Sequence, residues 1–336
     1  MNQRVCLIGT LLLLFSSLMA QAQEKSKLNQ QGEEKITTAT NLVTVNVIVT
    51  DGAGRYVTGL RRNQFEVYVE KVKQPIAHFS NKAVPVSVGI VCDIHNRTPE
   101  KTRALLMALK QFTNDLRNED NFFFLAFGTQ GSVTSDFVPT ADQVIEHLAS
   151  VKPGGPASLY DAVYLAAERL RRGPNLKKTL LIVSDGEDDN SHTSYQQVRN
   201  RLREFDVQIY SVGIANPETA HSIRYGSWSY EDLSRQTTRR PFPLNAEAAT
   251  GRAVLADMAR VSGGSMYSPE SNNEPELVGI LRQISLELRE QYTIGFYPSG
   301  ERLDNDWHRI LVKLNSGRMS RGVVLSYRQG YRRSDR

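Results

Sequence analysis

Three runs in the middle of the chain, at 84–92, 179–183 and 207–212, consist almost entirely of apolar residues. A strand wet on one face alternates apolar with polar residues, so unbroken runs of this length belong to strands covered on both faces, as in a parallel sheet. Helical patterns lie between and after them. Apolar positions 105, 109, 112 and 116 recur on one helical face behind Thr98-Pro99, and 159–170, 194–205 and 275–288 repeat that spacing. Strands alternating with helices require right-handed crossovers, which gives an α/β fold with a doubly wound, mainly parallel (Rossmann-type) sheet over 84–290.

The flanks read differently. Val43, Val45, Val47 and Val49 alternate with less apolar residues, as do 65–70 and 76–79, and the pattern returns at 292–297, 307–314 and 323–327. Neither flank, 42–83 or 291–333, is long enough to bury a stable core alone. The expectation is one small antiparallel β domain built from both, with the α/β domain inserted between its halves. Residues 216–250 interrupt the periodicity and are too long for an ordinary connection, so they are expected to form a surface excursion.

The chain starts with a short basic segment, an apolar run at 5–19 and Ala20-Gln21-Ala22. This is the pattern of a signal peptide, 1–22, cut after Ala22, followed by a polar leader over 23–41. A secreted or periplasmic protein follows, without a transmembrane segment after cleavage. Cys6 leaves with the signal and Cys92 remains alone, so no internal disulfide is expected. The net charge of +5 is concentrated in 318–336, which hold six Arg against one Asp. The near-neutral body argues against nucleic-acid binding.

Two of the buried runs end in aspartate, Asp93 and Asp185. Ligands of doubly wound sheets sit at the carboxyl ends of strands, where the strand order reverses. The residues around them carry a resemblance. Val-Gly-Ile-Val-Cys-Asp93-Ile-His95-Asn96-Arg97, then Gly154-Gly155-Pro156-Ala157-Ser158-Leu159-Tyr160-Asp161-Ala162, then Leu-Leu-Ile-Val-Ser-Asp185-Gly186 resemble, in order, the three loops of von Willebrand factor type A domains. The flanks, with Val-Thr-Asp51-Gly-Ala-Gly-Arg55, Gln291-Tyr-Thr-Ile-Gly-Phe-Tyr-Pro298 and Arg328-Gln-Gly330-Tyr331, are similar to secreted von Willebrand A-related proteins of the acidobacterial type.

The resemblance implies a non-enzymatic binding module for adhesion or assembly, its partner another protein or a cell-surface component. It also implies a divalent ion, Mg²⁺ or Ca²⁺, held at the sheet edge by two Ser hydroxyls, a Thr hydroxyl and two carboxylates. This chain departs from that set: His95 and Arg97 stand at the Ser positions and Ala157 at the Thr position, which leaves Asp93 and Asp185 as metal ligands of a degenerate site. Three arrangements remain open. Arg97 pairs with Asp93 or Asp185 and no ion or other cofactor is held; or Ser158, Thr98 or Asn96 completes an altered ion site of a metal-dependent adhesin; or His95 joins the two aspartates as a transition-metal site, the basis of a metal-dependent hydrolase. Enzyme motifs are missing: there is no His-Glu-x-x-His, Gly-x-Ser-x-Gly or nucleotide-binding glycine loop. The expected partner surface comprises Asp93, His95, Asn96, Arg97, Ser158 and Asp185, with Tyr225 and Trp228 from the excursion; Trp, Tyr and Arg dominate binding hot spots. The acidic run 187–189 is expected to be a solvated loop. Oligomeric state is left open.

Overall fold

The computed structural model describes residues 42–95, 98–128, 133–135, 137, 142–143, 146, 155–214, 251–271, 273–299, 307–315 and 322–332. The expected signal and leader segments, 1–41, and the expected surface excursion, 216–250, lie outside the described residues.

The first four strands are β1 (Val43–Thr50), β2 (Phe65–Val69), β3 (Val72–Gln74) and β4 (Ile76–Ser80). The last four are β11 (Tyr292–Phe296), β12 (Trp307–Leu314), β13 (Val324–Ser326) and β14 (Gly330–Arg332). They make two four-stranded sheets, β13-β1-β11-β4 and β14-β12-β2-β3, each mixing strands from both ends of the chain. Val45 lies opposite Ile294 in the first and Val67 opposite Val312 in the second, both antiparallel. The alternation explains the packing: Val43, Val45, Val47 and Val49 face Phe65, Val67, Val69, Ile310 and Val312 in one core, with Tyr292, Ile294 and Phe296. Strand β3 was not expected; it follows a tight turn in which Glu70 and Lys71 both have positive φ.

Between the flanks lie β5 (Val86–Asp93), α1 (Pro99–Asn114), β6 (Asn121–Phe127), β7 (Val133–Thr134), α2 (Leu159–Arg171), β8 (Lys177–Ser184), α3 (Tyr195–Glu204), β9 (Gln208–Gly213), α4 (Gly251–Ser262), β10 (Met266–Tyr267) and α5 (Glu274–Arg289). The sheet order is β10-β9-β8-β5-β6-β7, parallel throughout except at β7. Every residue of β5 is buried, because successive side chains enter two different cores. Val88, Ile90 and Cys92 pack toward α1 and α5, with Leu105, Leu109, Phe112, Leu281 and Ile284. Val91, Leu180 and Ile182 pack toward α2, α3 and α4, with Ala166, Val198 and Met258. The sheet is therefore covered on both faces, as the unbroken apolar runs require. Cys92 is a buried core residue.

After β5 the chain runs to β6 on one side, then returns to β8 on the other. The strand order thus reverses between β5 and β8, whose carboxyl ends carry Asp93 and Asp185. Among the described residues, no helix is long and apolar enough to cross a membrane.

Candidate functional site at the carboxyl edge of the sheet

Asp93 is the last residue of β5 and is only 3% exposed. Its Oδ1 accepts the His95 backbone N–H at 2.8 Å, and its Oδ2 accepts the Ser184 hydroxyl at 3.1 Å. Ser184 Oγ in turn accepts the Gly186 N–H at 3.0 Å. The buried carboxylate is thereby engaged by neighbouring protein donors and ties the end of β5 to the turn after β8. Asp185 is half-buried, and its Oδ1 accepts the Glu187 N–H at 3.0 Å.

Glycines set the close approaches here. Gly186 has φ +87°, and a Cβ on it would lie 2.0 Å from the carbonyl oxygen of Gly251, the first residue of α4. The Asp185 turn and the start of α4 therefore meet backbone to backbone, which only glycine allows. Gly128, after β6, has φ +76° and sits against the backbone of His95 in the same way.

The second loop is fastened to the third by side chains distant in sequence. Ser158 is the N-cap of α2, yet its side chain makes no capping bond. The bond is supplied from elsewhere: Asp188 Oδ1 accepts the Tyr160 N–H at 2.9 Å, and Ser191 Oγ accepts the Asp161 N–H at 3.0 Å. Ser191 also donates its hydroxyl to Asp188 at 2.6 Å. A carboxylate beside the first turn of a helix is favoured by the orphan amides and the helix dipole. Asp161 returns the connection, accepting the N–H groups of His192 and Thr193, each at 2.9 Å. Burial pushes the Asp161 carboxyl up, but the bonds from Thr193 and His192 outweigh it and hold it below its ordinary value. The carbonyl of Ala157 accepts Asp189 N–H and Asn190 N–H, at 2.9 and 3.1 Å. The expected solvated loop at 187–189 is thus corrected at Asp188, a half-buried latch on α2; Glu187 and Asp189 are exposed. Burial, then repulsion from Asp185 and Asp189, raises the Glu187 carboxyl above its ordinary value against the pull of His95.

Of the residues expected at the site, Asp93, His95, Ser158 and Asp185 all lie on this edge, on the loops after β5, before α2 and after β8. Asn96, Arg97, Tyr225 and Trp228 lie outside the described residues. His95 meets Asp93 through its backbone amide, and Thr98 caps α1, accepting the Lys101 N–H at 3.4 Å. Ala157, 2% exposed, offers no side-chain oxygen where the resemblance implies a hydroxyl. Among the described residues of this edge, the Asp93 oxygens accept protein donors and Ala157 supplies no hydroxyl, whereas a hard ion needs several convergent oxygens. Among the described residues, no group of three or more His, Cys, Asp and Glu side chains is placed to hold a metal ion. Sequence reasoning missed Ser184, Asp188 and Ser191, whose roles depend on contacts between loops.

A comparison with curated proteins finds no match. Among solved structures, the chain is similar to an aerotolerance-related membrane protein from Bacteroides fragilis, at 16% identity and TM-score 0.42, covering 60% of this chain and 98% of that one. It is similar also to BatB from Bacteroides thetaiotaomicron, at 17% identity and TM-score 0.41, covering 60% and 98%. A third is the vWF domain of the type V pili tip protein Mfa5 from Porphyromonas gingivalis, at 9% identity and TM-score 0.42, covering 66% and 99%. Residues 88–226 match the family model of the von Willebrand factor type A domain, and the α/β part of this chain is von Willebrand A-like in fold.

Proposed function

We propose that this chain is an exported, non-enzymatic protein-binding module for adhesion or assembly, engaging another protein or a cell-surface component through the carboxyl edge of its parallel sheet without a metal ion. The observation that carries the reading is the engagement of Asp93: its two oxygens accept protein donors, His95 N–H and Ser184 Oγ, while Ala157 stands where a hydroxyl ligand is implied. The match to the von Willebrand factor type A domain supports a binding role, and His95, Arg97 and Ala157 at the positions where the resemblance implies hydroxyl ligands support the loss of metal dependence. The edge nonetheless keeps a defined shape, because Asp188, Ser191 and Asp161 lock the loops before α2 and after β8 to each other. Edge loops held on a rigid sheet are a suitable recognition surface.

The test is partner capture from the native exported fraction, with and without a chelator. Capture is expected to persist in chelator and to be lost in the Asp185→Asn, Glu187→Gln double variant. Capture that needs Mg²⁺ or Ca²⁺ would instead support an altered ion site, and turnover in a substrate panel that depends on Asp93, His95 and Asp185 would support a hydrolase.

A further inference from the structure

A second cluster of charged groups lies where helices α3 and α4 meet the strands of the C-terminal flank. Asp257, in the middle of α4, is 4% exposed and accepts Arg199 Nε at 2.7 Å, together with hydrogen bonds from Arg260 and from the Tyr195 hydroxyl. Burial pushes its carboxyl up, but these donors outweigh that and keep it ionised below the usual carboxylate range. A third guanidinium belongs to the same cluster. Arg203, one turn beyond Arg199 on α3, is half-buried with its charged carbon 5.2 Å from the centre of the Trp307 ring. Its Nε is buried and has no hydrogen-bond partner among the described residues. Burial disfavours its charge, and the nearby guanidiniums of Arg199 and Arg260 repel it, against the attraction of Asp257.

Among the described residues, three guanidiniums therefore share one carboxylate, which leaves two positive charges without a described counter-charge in a partly dehydrated cluster. The neighbouring ion pairs do not supply the missing charge: Glu204 is engaged by Arg201 and Arg332, and Glu168 by Arg171 and Arg201. The cluster is open to solvent through Arg260 and Arg199, whose side chains are 41% and 22% exposed. Its floor is held in place, since a Cβ on Gly330 would lie 2.5 Å from the Trp307 indole carbons, so strand β14 packs directly beneath the ring.

We propose that Arg199, Arg203 and Arg260, with Trp307, form a binding site for a phosphate-type dianion. Two charges without a described counter-charge match a doubly charged group, and the planar fork of N–H donors on arginine suits tetrahedral oxyanions. The same chemistry is offered by a soluble phosphate monoester and by a phosphomonoester lipid headgroup.

The chain has two tryptophans, Trp228 and Trp307, so Trp228→Phe leaves Trp307 as the sole indole reporter. Titrating this protein with inorganic phosphate is expected to give a saturable change in emission that sodium chloride at equal ionic strength does not give. Arg203→Gln, which spares the bonds to Asp257, should abolish the response. As a second readout, phosphate should raise the thermal midpoint of the parent protein and leave that of Arg203→Gln unchanged. Equal responses to chloride, or equal responses in parent and Arg203→Gln, would overturn the proposal, as would acetate acting as well as phosphate. Arms with glycerol phosphate and with phosphatidic acid vesicles distinguish the soluble source from the lipid one; Arg203-dependent binding in either supports the site.

Discussion

The Ser184 hydroxyl donates to Asp93 Oδ2 at 3.1 Å, joining the carboxyl ends of the two strands between which the sheet reverses its order. In this geometry Asp93 acts as a structural acceptor. Ser184→Ala removes one donor from a carboxylate that is 3% exposed and should destabilise the fold by about 1–3 kcal/mol. Urea denaturation of parent and variant at neutral pH measures it; an unchanged midpoint would mean that Asp93 does not rely on this bond.

Capping of α2 from a distant loop gives a contrast between two residues. Asp188→Ala should cost about 1 kcal/mol or more, in the range of a lost N-cap. Ser158→Ala, at the N-cap itself, should cost much less, because its side chain makes no capping bond. The order of the two thermal midpoints decides the matter.

Gly186 should tolerate no side chain. Gly186→Ala places a Cβ at φ +87° and against the Gly251 carbonyl, so a loss of more than about 2 kcal/mol is expected, accompanied by displacement of α4. Denaturant unfolding reports the loss, and hydrogen exchange over 251–262 reports whether α4 is loosened.

Lys177 gives a pH signature. It is fully buried at the start of β8, donates to the Leu288 carbonyl, and burial lowers its pKa from 10.5 to about 7, against the attraction of Asp120. Between about pH 7 and 10.5 the unfolded chain holds a proton that the folded chain has released, so this group makes stability rise with pH across that window. Below about pH 7 both states are protonated and the penalty is present in full. Lys177→Met should therefore flatten the slope and raise stability at pH 6, by an amount on the order of a few kcal/mol. Unfolding free energies at pH 6, 8 and 10 test this; a slope unchanged by the substitution would assign it to other groups.

Much of this architecture was legible in the sequence, and the exceptions have physical causes. Strands β5, β8 and β9 were visible because burial on both faces leaves unbroken apolar runs, and α1 because Thr98-Pro99 marks its start. Helix α4 escaped notice: it begins at Gly251, a poor helix former that the close approach to Gly186 requires. Strand β6, with its run Phe122-Phe123-Phe124-Leu125, was overlooked although its pattern is that of a doubly covered strand. Asp93 and Asp185 could be picked out from their places after apolar runs. Their surroundings could not: the β5–β8 register, with Cys92 opposite Val183, is what brings Asp93 alongside Ser184, and no local pattern encodes it. Asp188 was misread for a related reason, since an acidic run looks solvated until the helix it caps is folded beside it.

The proposed loss of the ion set also predicts the reverse experiment. Restoring the hydroxyls with His95→Ser, Arg97→Ser and Ala157→Thr together should create measurable Mg²⁺ affinity, read by calorimetry. No heat of binding in the folded triple variant would mean that the loops have diverged beyond their side chains.

The most direct test of a metal-independent sheet edge is calorimetric titration of the native protein with Mg²⁺ and with Ca²⁺. The predicted result is no dissociation constant tighter than about 10 µM for either ion. Tighter binding than that, abolished by Asp185→Ala, would contradict it.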